Sequence, residues 1–245
     1  MPIQPWLPPL KPGEISEARL IRAILDGTFP IHSDLPGERE LAALLGVTRP
    51  TLREAMQRLE RDGWIDIRHG KPTRVRDFWK EGNLGVSLSL AKYQDPLPED
   101  FVPNLLQVRT LLAPAYTKSA VASHPQEVSG FLEGASALGE DAGAYADFDW
   151  RLHWTLTIHS GNPFFTQFAN SVRRLYLEAG ERYFNHAEAR AHSQAFYKSL
   201  QDAARRADGH AAGRLAAQVM QESLALWLRQ EAGQGTPDGA GLAGH

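Results

Sequence analysis

Two stretches decide the fold: Leu35-Pro36-Gly37-Glu38-Arg39-Glu40-Leu41, and Gly46-Val47-Thr48-Arg49-Pro50-Thr51-Leu52-Arg53-Glu54-Ala55. Residues 37–45 read as a short helix of about two turns, stopped by Gly46, which supplies the left-handed turn that ends a helix. Thr48 then caps a helix running to about Asp62. Leu52, Met56 and Leu59 form its buried stripe, while Arg49 and Arg53 stand one turn apart on another face. Leu44 and Val47 are assigned, with that stripe, to packing. The result is helix, tight turn, helix.

Upstream, residues 14–26 place Ile15, Ile21, Ile24 and Leu25 at helical spacing, and Gly27-Thr28-Phe29-Pro30 ends the segment. A turn through Ser33-Asp34-Leu35-Pro36 leads into the second helix. Downstream, Trp64-Ile65-Asp66-Ile67-Arg68 and Thr73-Arg74-Val75-Arg76 alternate with period two around His69-Gly70-Lys71-Pro72, which predicts two short strands joined by a basic tip. A hairpin in this place is a wing.

This arrangement suits double-stranded DNA. Free backbone N–H groups at a helix start attract phosphate, and an arginine fork matches a guanine edge in the major groove. Arg49, Thr51 and Arg53 meet that need, and Arg39 is placed as a phosphate clamp. At the wing tip, Gly70 lets the backbone approach closely, while His69 and Lys71 offer donors suited to a minor groove. Any one of these arginines, taken alone, reads first as a solvated helix charge; their order along the chain carries the DNA reading.

The net charge of −3 conceals this pattern. Cut after Arg76, the chain separates into 12 basic against 10 acidic residues and then 14 against 19. Residues 48–76 hold eight basic side chains and four acidic ones. The absence of cysteine removes disulfides, thiolate nucleophiles and cysteine-ligated zinc. No HExxH, GxSxG, P-loop or dinucleotide fingerprint occurs, so an enzyme is not expected. No run reaches the roughly 18 to 20 apolar residues of a membrane span, which implies a cytoplasmic protein with no membrane partner.

With 245 residues, two domains are expected. Residues 1–76 form the winged helix-turn-helix, 77–85 a packed linker rich in aromatics and glycine, and 86–232 an all-helical domain; 233–245 read as a disordered tail. The helical patterns of the second domain cover 101–123, with a kink expected at Pro114, then 125–139, 145–160, 162–185, 189–207 and 211–231. The fold class is mainly α: a winged helix-turn-helix followed by a helical bundle.

Residues 35–41 and 46–55 resemble the signature of the GntR superfamily of bacterial transcription regulators. Arg61-Asp62-Gly63-Trp64, His69-Gly70-Lys71-Pro72-Thr73 and Phe78-Trp79 resemble its FadR subfamily, which answers to fatty acids. The second half is similar through Asn104-Leu105-Leu106-Gln107-Val108-Arg109-Thr110, Ser160-Gly161-Asn162-Pro163, Leu175-Tyr176 and Arg182-Tyr183-Phe184. The resemblance implies a homodimer that contacts a pseudo-palindromic operator through Arg39, Thr48, Arg49, Thr51, Arg53, His69, Gly70 and Lys71. It further implies an effector pocket for a long-chain acyl-CoA, lined by Leu106, Arg109, Tyr183, Ser223 and Trp227, with no resident cofactor. The same aromatic and apolar residues read equally as bundle core.

Three departures stand out. Pro50 replaces a threonine, removing a hydroxyl and a backbone N–H, and Val219 and Met220 replace a tyrosine and a glycine near the ligand. Asp149 and His153, four apart on one helix face, resemble the first half of the metal site found in many GntR relatives. Lys198 and Met220 occupy the places of the remaining histidines and suit a metal poorly. The alternative function is therefore a regulator of the same architecture that responds to a metal, a small organic acid, or both.

Overall fold

Glu14 turns back to accept the Lys11 N–H at 3.0 Å and so opens α1 (Pro12–Leu25), which buries Leu20, Ile21 and Ile24. The structure is a computed structural model that describes residues 11–94 and 96–234. The tail expected to be disordered lies almost wholly outside them. Among the described residues, no helix is long and apolar enough to cross a membrane.

α2 (Glu38–Leu45) ends at Gly46 in the left-handed conformation. α3 (Arg49–Asp62) is capped by Thr48, whose hydroxyl accepts the Thr51 N–H, and is closed by Gly63. Leu52, Met56 and Leu59 are buried as the spacing predicts, and Ala55 joins them. Leu44 is not: it is 67% exposed. Leu41, Ala42 and Leu45 set the inward stripe of α2, and at 3.6 residues per turn Leu44 stands about 110° away from it. Val47 is half-buried.

The wing strands are β1 (Ile65–Asp66) and β2 (Arg74–Val75), antiparallel with Ile65 opposite Val75. They are shorter than the alternation suggests. The expected turn at 33–36 gives the wing a further partner, since Leu35 N–H donates to Thr73 O at 2.7 Å and Val75 N–H donates to Ser33 O at 2.9 Å.

Residues 77–85 carry α4 (Phe78–Glu81) and the start of α5 (Leu84–Tyr93). Phe78 packs on the buried Trp64 with ring centroids 4.6 Å apart, and Asn83 bonds back to Arg61 O and Asp62 O. The segment expected as a linker is thus helical and fixed to the wing and α3. By its contacts the chain divides into two compact units, 1–97 and 98–245.

The second unit consists of α6 (Phe101–Ser123), α7 (Pro125–Leu132), a 3₁₀ turn (Glu133–Ala137), α8 (Ala142–His159), α9 (Pro163–Phe184), α10 (Ala187–Arg205) and α11 (Gly209–Gln234). α6 packs along α11 and α8 along α9, while α10 lies against α7 and α11. α6 continues through Pro114 as one helix. The single helix expected over 125–139 tightens into 3₁₀ after Leu132, where Gly134 and Ser136 lower α-helical propensity.

Candidate functional site

The first unit sorts its cations. Arg58 pairs with Glu17 at 2.6 Å, Arg61 with Asp62 at 3.0 Å, Arg68 with Asp34 at 2.9 Å and Arg76 with Asp66 at 3.5 Å. Arg74 donates to His32 O at 3.1 Å. Most of the local positive excess therefore holds α1, α3 and the wing together. Arg39, Arg49 and Lys71 are exposed and have no ion-pair partner among the described residues. They sit at the start of α2, the start of α3 and the wing tip, the three places that the sequence marks for DNA.

The other expected contacts lie nearby. His69 and Gly70 are exposed at the tip, where Gly70 has φ +70°, a conformation that L side chains rarely adopt. Thr48 and Thr51 share a hydrogen bond between hydroxyls at 2.8 Å, so both already serve the cap. Arg53 is held by Glu38 at 2.8 Å.

The second unit encloses a cavity of about 80 Å³ whose walls are predominantly apolar. Leu106 and Arg109 of α6, Tyr183 of α9, and Ser223 and Trp227 of α11 all face it. Five side chains drawn from three helices, expected together on resemblance, thus share one space. Val219 and Met220 are buried and are not among the residues that line it.

A polar cluster forms one end of the cavity. Asp149 accepts hydrogen bonds from Arg109 Nη2 at 3.1 Å, from Tyr197 at 2.8 Å and from Tyr176. Arg109 Nη2 also stands 2.7 Å from His153 Nε2. Arginine only donates, so Nε2 is the acceptor; Nδ1 then carries the proton and donates to the Tyr116 hydroxyl 2.7 Å away. Burial pushes the His153 pKa down to about 3, helped by Arg109 and opposed by Asp149. Burial acts to raise the pKa of Asp149, but the Arg109 charge and the hydrogen bonds from Tyr176 and Tyr197 act against it, and the carboxyl lies below its ordinary value. The cluster therefore contains one cation, one anion and a neutral imidazole.

Some of its donors remain unspent. Arg109 Nε and the Tyr183 hydroxyl are buried without a hydrogen-bond partner among the described residues. The Tyr116 hydroxyl, accepting from His153, keeps its own proton to donate. Buried donors without acceptors are unfavourable by about 1–3 kcal/mol each, and Arg109 and Tyr183 both line the cavity.

The metal reading fares differently. Asp149 Oδ1 and His153 Nε2 are 4.0 Å apart, but the Arg109 guanidinium already bonds both residues and provides the positive charge there. Lys198 is exposed. Among the described residues no three His, Asp or Glu side chains converge. The residues present do not fit a bound metal.

Sequence reasoning missed Tyr116, Tyr176 and Tyr197 as partners of this cluster. Comparison with known proteins accords with both units. Residues 16–75 match the bacterial regulatory proteins of the gntR family, and residues 76–233 match the FadR C-terminal domain. The chain is 44% identical over 194 residues to the fatty acid metabolism regulator protein of Shewanella pealeana, covering 79% of this chain and 81% of that one. It is 41% identical over 189 residues to the protein of the same name from Edwardsiella ictaluri, covering 77% and 79%. Among solved structures, Lar of Listeria monocytogenes has a similar fold, with a TM-score of 0.60 at 15% identity over 91% of this chain and 99% of that one. The chain belongs to the GntR family of bacterial transcription regulators and carries the FadR C-terminal domain.

Proposed function

We propose that the protein regulates transcription of fatty acid metabolism genes, binding operator DNA as a homodimer through its first unit and releasing it when a long-chain acyl-CoA enters the second. The curated relatives carry that regulatory name. A two-fold protein pairs best with two half-sites about one helical turn apart, which favours a pseudo-palindrome.

The observation that carries the choice of effector is the charge balance of the cavity. Arg109 is already neutralised by Asp149, and His153 is neutral. A fatty acid carboxylate would add a buried anion with no free cation to meet it, which disfavours binding by several kcal/mol. A thioester carbonyl is uncharged and accepts hydrogen bonds, so it suits Arg109 Nε, Tyr116 and Tyr183 while its chain lies along the apolar wall.

Size supplies the link to DNA. Pockets for ligands of this scale hold about 300–1,000 Å³, and the cavity has about 80 Å³. An acyl chain therefore needs the side chains or helices that line the cavity to move apart, and a helix shift is the kind of change that alters the spacing of two DNA-binding heads.

The test uses a fluorescent duplex selected for tight binding from a random-sequence pool. Titration with palmitoyl-CoA should release it, whereas palmitate or CoA alone at the same concentrations should not. Retention of the duplex with all three would reject the proposal; release by palmitate alone would reject its electrostatic basis.

A further inference from the structure

Glu38 stands at the first position of α2, and Arg53 lies on the second turn of α3. The two meet across the helix-turn-helix: Arg53 Nε and Nη2 both lie 2.8 Å from the same carboxylate oxygen, Glu38 Oε2. A guanidinium has two edges suited to paired acceptors, one formed by Nε and Nη2 and the other by the two terminal nitrogens. Glu38 takes the first. The terminal edge is left free, and its two parallel N–H groups match the O6 and N7 acceptors that guanine presents in the major groove.

On stability grounds this contact has little value, because an exposed ion pair contributes little net stabilisation, and the Arg53 side chain is 60% exposed. On DNA-affinity grounds Glu38 is unfavourable, since a carboxylate among Arg39, Arg49 and Arg53 repels phosphate. Its effect on orientation is different. A long, exposed arginine otherwise samples many rotamers and reaches any nearby phosphate; anchored at one edge, it presents a single fork in a single direction.

We infer that Glu38 is a positioning residue for base recognition, holding Arg53 so that its terminal edge reads guanine and reducing the attraction of the head for DNA of any sequence. The inference rests on the proposed operator binding, with Arg53 as a base-reading residue.

The experiment measures binding of the full-length protein, Glu38→Gln, Glu38→Ala, Arg53→Ala and the double variant Glu38→Gln/Arg53→Ala. The probes are the selected duplex, its single-base variants and an unrelated duplex, with thermal melting to confirm folding. Arg53→Ala should lose discrimination at one G·C pair of each half-site. Glu38→Gln should lose about tenfold in discrimination at that same pair while binding the unrelated duplex several-fold more tightly. The double variant should discriminate no worse than Arg53→Ala, since Glu38 acts through Arg53. Full discrimination in both folded Glu38 variants, alongside its loss in Arg53→Ala, would overturn the inference and leave the regulator reading intact. Unchanged discrimination in Arg53→Ala would overturn it by removing its premise.

Discussion

Asp149 is buried and accepts bonds from Arg109, Tyr176 and Tyr197, so each of its oxygens is satisfied by a donor that has few other partners. Asp149→Asn keeps the shape but leaves the Arg109 charge buried and uncompensated. Removing one partner of such a pair typically destabilises by about 3–5 kcal/mol, and a urea midpoint measured at pH 7 should show a loss of that order. His153 gives a pH signature. Its folded pKa is about 3 against 6.5 for an ordinary histidine, so the unfolded chain takes up a proton that the folded chain refuses. Stability should therefore fall as the pH drops through about 6.5 towards 3, by up to ~1.4 kcal/mol per unit from this group. His153→Gln should flatten that slope by about one proton's worth; an unchanged slope would show that the imidazole is not held neutral. The spacing of Asp149 and His153 was legible in the sequence, and Arg109 was legible by resemblance. Their joining was not, because Tyr116, Tyr176 and Tyr197 come from three different helices and their hydroxyls meet only when those helices pack.

The helix-turn-helix was largely legible because its boundaries have local chemical causes: Thr48 as cap, Gly46 as stop, and a 3.6-residue stripe between. Gly63 is required twice over. It has φ +96°, and a Cβ there would lie 2.6 Å from the Cα of Gly82. Gly63→Ala should therefore destabilise the unit by about 1–3 kcal/mol, read as a lower melting temperature and weaker duplex binding. A wild-type melting temperature would show that the turn relaxes freely. What the sequence concealed was α4 and α5. Gly82 and Gly85 interrupt any apolar period there, and the order comes from Phe78 stacking on Trp64 and Asn83 bonding to the end of α3, which are tertiary causes. The exposure of Leu44 has a similar origin: a helix of two turns has room for only one inward stripe, and the neighbouring helices choose which.

Across the whole chain, charge is divided by task. Cations that hold the first unit together are paired, whereas Arg39, Arg49 and Lys71 are left for an external anion. Arg49→Ala should weaken duplex binding and reduce the salt slope of log K by about one; an unaltered slope would remove Arg49 from the phosphate contacts. Among the described residues Arg109 is the one cation lining the cavity of the second unit, and Asp149 neutralises it, so the proposed effector presents a neutral polar group there. The central claim is that these two sites are thermodynamically coupled, and coupling is reciprocal: whatever factor the effector imposes on DNA affinity, DNA must impose on effector affinity. The most direct measurement is therefore the Kd of palmitoyl-CoA by calorimetry, with and without saturating selected duplex, set beside the Kd of the duplex with and without palmitoyl-CoA. The account predicts that each ligand weakens the other by the same factor, about 5- to 150-fold. A palmitoyl-CoA affinity that is identical on the free and the DNA-bound protein would contradict it.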